Sequence, residues 1–206
     1  MSGFFANNIE EAVLAGCRKG DNAAHAQLFA AFSTAVFTLA LRLTGSRPVA
    51  DEVVQDTFIE VLTKIGQYRG DAPIGAWVRR IAVNKALAQL RSPWHKRGES
   101  LVPDLETCDI DQSVSLDLSA CLQHLGPTAR SVLWLHDVEG YTHKEIAAFM
   151  EKTVSFSKSQ LSRAHQKLNA WAVAEQAGSK PVTKTARTKV KIASTLISSK
   201  PKLTVS

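Results

Sequence analysis

Apolar residues recur three and four positions apart along most of this chain, which is the spacing of an amphipathic α-helix. Gly and Pro are sparse, and 45% of the residues are hydrophobic, enough for a buried core. We therefore predict an all-α protein. The predicted helices cover residues 9–18, 22–43, 48–65, 74–90, 114–125 and 128–136, and a helix-turn-helix follows whose second helix begins at Ser157.

Capping residues and helix breakers mark several of these ends. Gly20 ends the first helix, and Asp21 can cap the second, which stops at Thr44-Gly45. Pro48 suits the first turn of the third helix. Residues 66–73 are predicted to form a loop before the fourth helix.

Charge divides the chain into domains. Residues 99–117 hold six acids and no base, whereas residues 176–206 hold seven bases and no acid. The basic segment lacks a steady helical period. We predict two small helical domains, residues 1–95 and 114–174, joined by a flexible acidic linker at 96–113 and followed by a basic disordered tail at 175–206.

The net charge of +6 belongs to the tail, because the first 175 residues hold 18 basic and 19 acidic side chains. Because the first 175 residues are nearly neutral, only basic residues grouped on one surface can indicate nucleic-acid binding there. No signal peptide pattern opens the chain, and no uninterrupted apolar run approaches the ~20 residues that span a bilayer. Cys17, Cys108 and Cys121 lack metal-ligand spacing and are expected to be reduced thiols. We expect a cytoplasmic protein with no metal and no cofactor.

The predicted third helix has an apolar face and an acidic face. At 100° per residue, one side carries Val53, Val54, Thr57, Phe58, Val61, Leu62 and Ile65, and the other carries Glu52, Gln55, Asp56, Ile59 and Thr63. The acidic face is either a solvated surface or a docking face for a protein partner, and the pattern leaves both open.

The predicted fourth helix carries Trp77, Arg80, Asn84 and Arg91 on one narrow stripe. Residues 72–98 contain six bases, Lys85 among them, and no acid. Cations bind phosphates, an Asn amide can read a base edge, and an aromatic ring can stack on an exposed base. The alternative is an ordinary basic surface with Trp77 in the core.

The last predicted helix separates polar from apolar side chains. Lys158, Ser159, Ser162, Arg163 and Gln166 lie on one side, and Leu161, Ala164, Leu168 and Trp171 lie on the other. The polar side has cations and hydroxyls but no acid, as a helix in a DNA groove requires. A helical hairpin in a bundle that does not bind DNA would show a similar pattern.

Signals for catalysis are weak. The chain contains no Gly-rich phosphate loop, no GxSxG and no HExxH. His136, Asp137 and His143 lie at predicted helix ends, where solvated or capping roles are expected of them. We predict no enzymatic activity.

Several motifs in series resemble a known family. They are Leu39-Ala40-Leu41-Arg42-Leu43-Thr44-Gly45, Asp51-Glu52-Val53-Val54-Gln55-Asp56-Thr57-Phe58, Tyr68-Arg69-Gly70-Asp71 and Trp77-Val78-Arg79-Arg80-Ile81-Ala82-Val83-Asn84. Their order and spacing resemble region two of the extracytoplasmic-function (ECF) sigma factors. Residues 125–163, with Glu139-Gly140-Tyr141-Thr142 and Glu145-Ile146-Ala147, resemble region four.

The resemblance implies roles for these segments. It implies that Asp51, Glu52, Gln55, Asp56 and Phe58 dock on the β′ clamp of RNA polymerase. It implies that −10 DNA is captured and melted by Tyr68, Arg69, Trp77, Arg80, Asn84, Lys85 and Arg91. It implies that the −35 element is bound by Phe156, Lys158, Ser159, Ser162 and Arg163.

The resemblance also implies partners, namely the β′ clamp and β flap of core polymerase, promoter DNA and an anti-sigma factor, without membrane insertion. The chain departs from the family at two places. Ser155-Phe156 stands where the recognition helix usually starts with Gly-Thr, and Leu125-Gly126-Pro127 replaces the usual Leu-Pro.

Two hypotheses follow. The first is a sigma factor that brings polymerase to promoters. The alternative is a stand-alone helix-turn-helix regulator, which needs no surface for melting the −10 element. Residues 68–91 favour the first.

Overall fold

The structure, a computed structural model, describes residues 3–5, 7, 9–91, 122 and 124–178. These residues form helices and short connections with no strand among them, so the all-α prediction is confirmed. The chain divides into two compact units, residues 1–105 and 106–206.

The N-terminal unit is a helical bundle whose bounds follow the predictions closely. Its helices are α1 (Glu11–Arg18), α2 (Asn22–Thr44), α3 (Arg47–Lys64) and α4 (Ile74–Arg91), with a 3₁₀ turn at Ile65–Gln67. The Asp21 side chain caps α2 by accepting a hydrogen bond from the Ala23 amide at 2.9 Å. Gly45 closes α2 in the left-handed conformation, with φ of 72°.

Helix α2 lies at the centre of this bundle and packs against α1, α3 and α4. Leu28, Phe32, Val36 and Leu43 of α2 are almost completely buried. By length and composition alone, α2 is long and apolar enough to cross a membrane, although polar residues interrupt its apolar run. The core helix of a soluble protein passes the same test, and α2 contributes buried side chains to the core of this bundle.

A short N-terminal segment, which we call the strap (residues 3–5 and 7), packs on the bundle ahead of α1. Phe4 is buried and stacks on Phe32 with ring centroids 6.4 Å apart. The Asn7 amide donates a hydrogen bond to the carbonyl oxygen of Ala31. The strap therefore adds a layer to the core that the helical period did not predict.

The C-terminal unit contains α5 (Pro127–Leu133), a π-helical turn (Trp134–Val138), α6 (His143–Met150) and α7 (Val154–Gly178). Thr142 and Glu145 form a reciprocal capping box at the start of α6. Its core is formed by Leu125, Val132, Leu135, Ile146 and Ala164. The helix-turn-helix prediction matches α6 and α7.

Helix α7 begins earlier and ends later than predicted. It starts at Val154 instead of Ser157, because the Thr153 hydroxyl accepts a hydrogen bond from the Phe156 amide at 3.1 Å and caps the first turn. It continues to Gly178, past the predicted start of the tail at Glu175.

Several sequence predictions lie outside the described residues. These are the linker at 96–113, most of the predicted helix at 114–125, the tail from residue 179, and Cys108 and Cys121. Cys17 is buried and free, and burial raises the pKa of its thiol.

Candidate nucleic-acid and partner interfaces

The outer face of α3 is acidic with an apolar centre. Asp51, Glu52 and Gln55 are exposed, and Asp56 is half-buried. Ile59 lies among them on the helical wheel and is 66% exposed. Sequence reasoning placed Ile59 on this face but did not assign it a role.

Phe58 does not belong to the exposed part of this face, which corrects its assignment to direct docking. Its ring is buried, and it packs on Phe29 of α2 with centroids 4.6 Å apart. It supports α3 from beneath, because its position on the wheel points into the bundle.

The stripe on α4 is exposed along most of its length. Arg80, Asn84 and Arg91 are exposed, and Trp77 is half-buried. Ile81, Val83 and Leu87 of the same helix are buried in the bundle. The predicted separation of a basic outer stripe from an apolar inner face therefore exists, and Trp77 lies at its border.

Tyr68, in the loop before α4, packs against Trp77. The Tyr68 ring lies 5.6 Å from that of Trp77 between centroids, and the Tyr68 hydroxyl donates a 2.6 Å hydrogen bond to the Ala72 carbonyl oxygen. Partial burial is the main cause that raises the pKa of Tyr68. Arg69, the next residue, is exposed.

Lys85 is half-buried and forms an ion pair within the N-terminal unit. Its ammonium lies 2.8 Å from a carboxylate oxygen of Glu60 on α3, and Lys64 lies 2.6 Å from the other oxygen. The hydrogen bonds from Lys64 and then Lys85 lower the pKa of Glu60. Lys85 therefore joins α3 to α4, and less of its charge is available to a phosphate than the sequence implied.

The strap adds a contact near the α4 stripe that sequence reasoning missed. The Arg79 guanidinium lies over the Phe5 ring, 5.0 Å from its centroid, and Phe5 is an exposed residue. The only signal in the sequence was an apolar Phe4-Phe5 pair ahead of the first helical period.

The outer face of α7 agrees with the predicted division. Lys158, Ser159, Ser162 and Arg163 are exposed, whereas Phe156 is half-buried. The opposite side contributes Leu161 and Ala164 to the core, and the Trp171 ring packs at a tilt against His124 with centroids 5.0 Å apart. The exposed face has no acid between Val154 and Trp171. A cationic, hydroxyl-bearing helix after a tight turn suits the major groove.

The turn between α6 and α7 contains a strained residue. Glu151 caps α6 in the left-handed conformation with φ of 54°, a region that favours glycine. Ser155 and Phe156, which depart from the family pattern, lie in the first turn of α7. Capping by Thr153 begins the helix without the usual Gly-Thr.

Behind α7 lies a polar cluster, and its geometry corrects the expectation of solvated or capping histidines. Asp137 accepts hydrogen bonds from His136 Nδ1 and His165 Nε2, each at 2.7 Å. His143 stacks on His136 with centroids 4.4 Å apart, and its Nδ1 lies 3.0 Å from the hydroxyl of Ser157. The helical spacing of Ser157, Leu161 and His165 was the signal for a shared inner face.

Comparison with known proteins identifies the family. The family model described as sigma-70 region 2 matches residues 28–96, and the model described as sigma-70 region 4 matches residues 115–168. Together the two matches span more than half of the chain. The chain belongs to the sigma-70 family. The α3 and α4 surfaces lie within region 2, and α6 and the first part of α7, up to residue 168, lie within region 4.

Curated relatives agree with this assignment and with the ECF group. The chain is similar to the ECF RNA polymerase sigma factor SigE of Mycolicibacterium smegmatis, with 30% identity over 143 residues, which cover 65% of this chain and 55% of that protein. It is also similar to the RNA polymerase sigma-H factor of Pseudomonas aeruginosa, with 24% identity over 74% of this chain and 88% of that protein.

A solved structure supports the fold. The sigma factor RpoE from Bartonella quintana, determined in complex with the anti-sigma factor NepR, matches with a TM-score of 0.54 and 21% identity. The match covers 70% of this chain and 93% of that chain.

Proposed function

We propose that this chain directs core RNA polymerase to specific promoters by reading the −35 and −10 elements and melting the DNA for initiation. The observation that carries the proposal is the acid-free outer face of α7, in a chain whose other unit has an exposed stripe of Arg80, Asn84 and Arg91. The sigma factor itself catalyses no reaction, and polymerase makes the RNA.

Core polymerase would dock on the outer face of α3. Asp51, Glu52, Gln55 and Asp56 offer carboxylates and an amide to the β′ clamp, and Ile59 offers an apolar centre that loses water on binding. Phe58 would keep α3 in place against α2. The C-terminal unit would contact the β flap.

The −10 element would be captured by the loop before α4 and by the α4 stripe. Tyr68, Arg69, Arg80 and Arg91 would bind the strand and its phosphates, Trp77 would stack on a base, and Asn84 would read a base edge. Lys85 would contribute mainly by fixing α4 to α3, because it is paired with Glu60.

The −35 element would be bound as duplex DNA by α7. Lys158 and Arg163 would meet phosphates or guanine, and Ser159 and Ser162 would add hydroxyl contacts. Phe156, half-buried in the first turn, would make an apolar contact next to them.

The proposed partners are core polymerase, promoter DNA and an anti-sigma factor. The anti-sigma proposal is supported by the related fold of the Bartonella quintana sigma factor, which was solved with such a partner. A protein that works on bacterial promoters with polymerase acts in the cytoplasm, and we propose that location.

The test is reconstitution of transcription with purified components. The full chain is mixed with core polymerase that lacks any other sigma factor, and the 5′ ends of transcripts from genomic DNA are mapped. A sigma factor produces start sites that core polymerase alone does not use. A stand-alone regulator leaves the core polymerase pattern unchanged, and that result would reject the proposal.

A variant pair tests the docking face in the same assay. Asp56→Lys reverses a charge on the proposed docking face, and Glu10→Lys makes the same charge change ahead of α1. We expect Asp56→Lys to weaken co-purification with core polymerase and Glu10→Lys to leave it intact. Equal retention of both variants would remove the acidic face from the docking surface.

A further inference from the structure

The cluster behind α7 joins the three segments that frame the proposed −35 surface. His136 and Asp137 lie on the π-helical turn, His143 is the first residue of α6, and Ser157 and His165 lie on α7. Asp137 is bonded to His165, and His143 is bonded to Ser157. Ser157 and His165 are about 12 Å apart along the axis of α7, because an α-helix rises 1.5 Å per residue.

We propose that this cluster orients α7 on the −35 element, and that it does so only while His143 is neutral. The inference rests on the proposed function, since it concerns how α7 meets promoter DNA. His136, Asp137, His143, Ser157 and His165 act as positioning residues, because they hold the DNA-binding helix from its inner side.

The hydrogen bonds of the cluster determine which ring nitrogens of His136 and His165 carry a hydrogen. A carboxylate only accepts, so His136 carries hydrogen on Nδ1 and His165 carries it on Nε2. Neutral His143 can accept the Ser157 hydroxyl hydrogen at Nδ1 over 3.0 Å. Protonation turns that nitrogen into a donor, so the Ser157 hydroxyl must turn to accept the bond, and it places a cation on a ring stacked against His136.

The surroundings of His143 favour its neutral form. Burial is the largest cause that lowers the pKa of His143, followed by His136 of the π-helical turn and Lys158 of α7. Asp137 acts in the opposite direction, and it is already bonded to His136 and His165. Folding lowers the pKa of His143. The contribution of His143 to the stability of the fold is therefore fully present above the ordinary pKa of histidine, and it is lost as the pH falls below that value.

Two other uses of the cluster are disfavoured by its geometry. Ser157 is completely buried, so its hydroxyl is out of reach of a substrate despite its contact with His143. Within the part of the chain that the structure describes, no group of three or more His, Cys, Asp or Glu side chains could hold a metal ion. A role in positioning α7 remains.

The test measures promoter binding by the full chain with core polymerase, from about pH 7.5 to about pH 5.5, a range that brackets the ordinary pKa of histidine. His143→Asn keeps an oxygen near the position of Nδ1 but cannot be protonated. We expect promoter affinity of the wild type to fall at low pH more steeply than that of His143→Asn. The difference should disappear on a promoter whose −35 element is scrambled.

A matched control separates the cluster from general effects of pH. His25→Gln removes a half-buried histidine of the N-terminal unit, whose Nε2 lies 3.2 Å from the Cys17 carbonyl oxygen. It should retain the pH dependence of the wild type. Identical pH profiles for the wild type and His143→Asn would overturn the inference, while specific transcription at pH 7.5 would still support the proposed function.

A second variant covers the case in which His143→Asn fails to fold. Ser157→Ala fits the space of the buried serine and removes only the hydroxyl. At pH 7.5 we expect promoter affinity to fall about five- to ten-fold, the effect of one hydrogen bond, and thermal unfolding must show that the variant is folded. Wild-type affinity of folded Ser157→Ala would exclude the positioning role.

Discussion

The backbone of Phe4 crosses α4 at Gly75, where no side chain fits. A Cβ added at Gly75 would overlap the Phe4 carbonyl oxygen and lie 3.1 Å from a ring carbon of Phe32. The absence of a side chain at Gly75 therefore lets the strap reach the core.

Gly75→Ala should destabilise the N-terminal unit. Alanine is favoured over glycine within a helix by about 1 kcal/mol, but here the strap must move, and overpacking of this kind costs about 1–3 kcal/mol. Chemical denaturation measures the free energy of unfolding. Gly66→Ala is the control, because nothing lies within 4 Å of its added Cβ. Equal stability of the two variants would mean that the strap is not held at Gly75.

Thr57→Val should raise stability or leave it unchanged. Thr57 is completely buried, and its hydroxyl has no hydrogen-bond partner among the described residues. Valine keeps the shape and removes a polar group whose burial costs about 1–3 kcal/mol. Thr44→Val makes the same change where the hydroxyl donates a 2.8 Å bond to Ala40. We expect Thr44→Val to be the less stable variant in thermal unfolding, and the reverse order would contradict this account.

Glu151→Gly should stabilise the C-terminal unit by about 1 kcal/mol, since glycine adopts positive φ without a steric cost. Glu151 has φ of 54° in the turn before α7. Stability is measured on the protein without DNA, because the loss of the Glu151 carboxylate would also change the attraction between the protein and DNA phosphates. Gly140→Ala, at φ of 78°, is the converse substitution and should lower stability. A loss of stability in Glu151→Gly would show that contacts of the Glu151 side chain outweigh the strain.

Asn84→Ala should relax base discrimination at one −10 position by about 1–3 kcal/mol. Asn84 is exposed on the α4 stripe beside Arg80, where its amide can donate to and accept from a base edge. Transcription from promoters with each −10 base changed in turn measures the effect. Gln27→Ala, an exposed amide on α2, should leave discrimination unchanged. Equal loss on every −10 variant would make Asn84 a structural residue.

Arg163→Ala should weaken promoter binding and reduce its salt dependence by about one unit of slope, because a cation on phosphate releases counterions. If Arg163 instead binds guanine, the loss should be confined to one base pair of the −35 element. Affinity is measured for the holoenzyme across salt concentrations. Lys19→Ala removes an exposed cation from the other unit and should change neither quantity. Wild-type affinity and slope in Arg163→Ala would rule out both roles.

Local sequence determined the helices, several caps and the exposed faces. Asp21 and Gly45 end α2 through their own backbone preferences and hydrogen bonds, and these depend on neighbours in the chain. The acid-free side of α7 and the acidic side of α3 follow from the helical period in the same way. Thr153 was the local exception, because its capping bond began α7 three residues early.

Tertiary structure alone decided which distant residues meet. Phe4 with Gly75, Lys85 with Glu60, and Asp137 with His165 are pairs that no helical period relates. Packing also determined that the Phe58 ring of α3 meets Phe29 of α2. The physical reason is that periodicity defines a face within one helix, whereas contacts between segments depend on how the shapes and charges of several faces fit together.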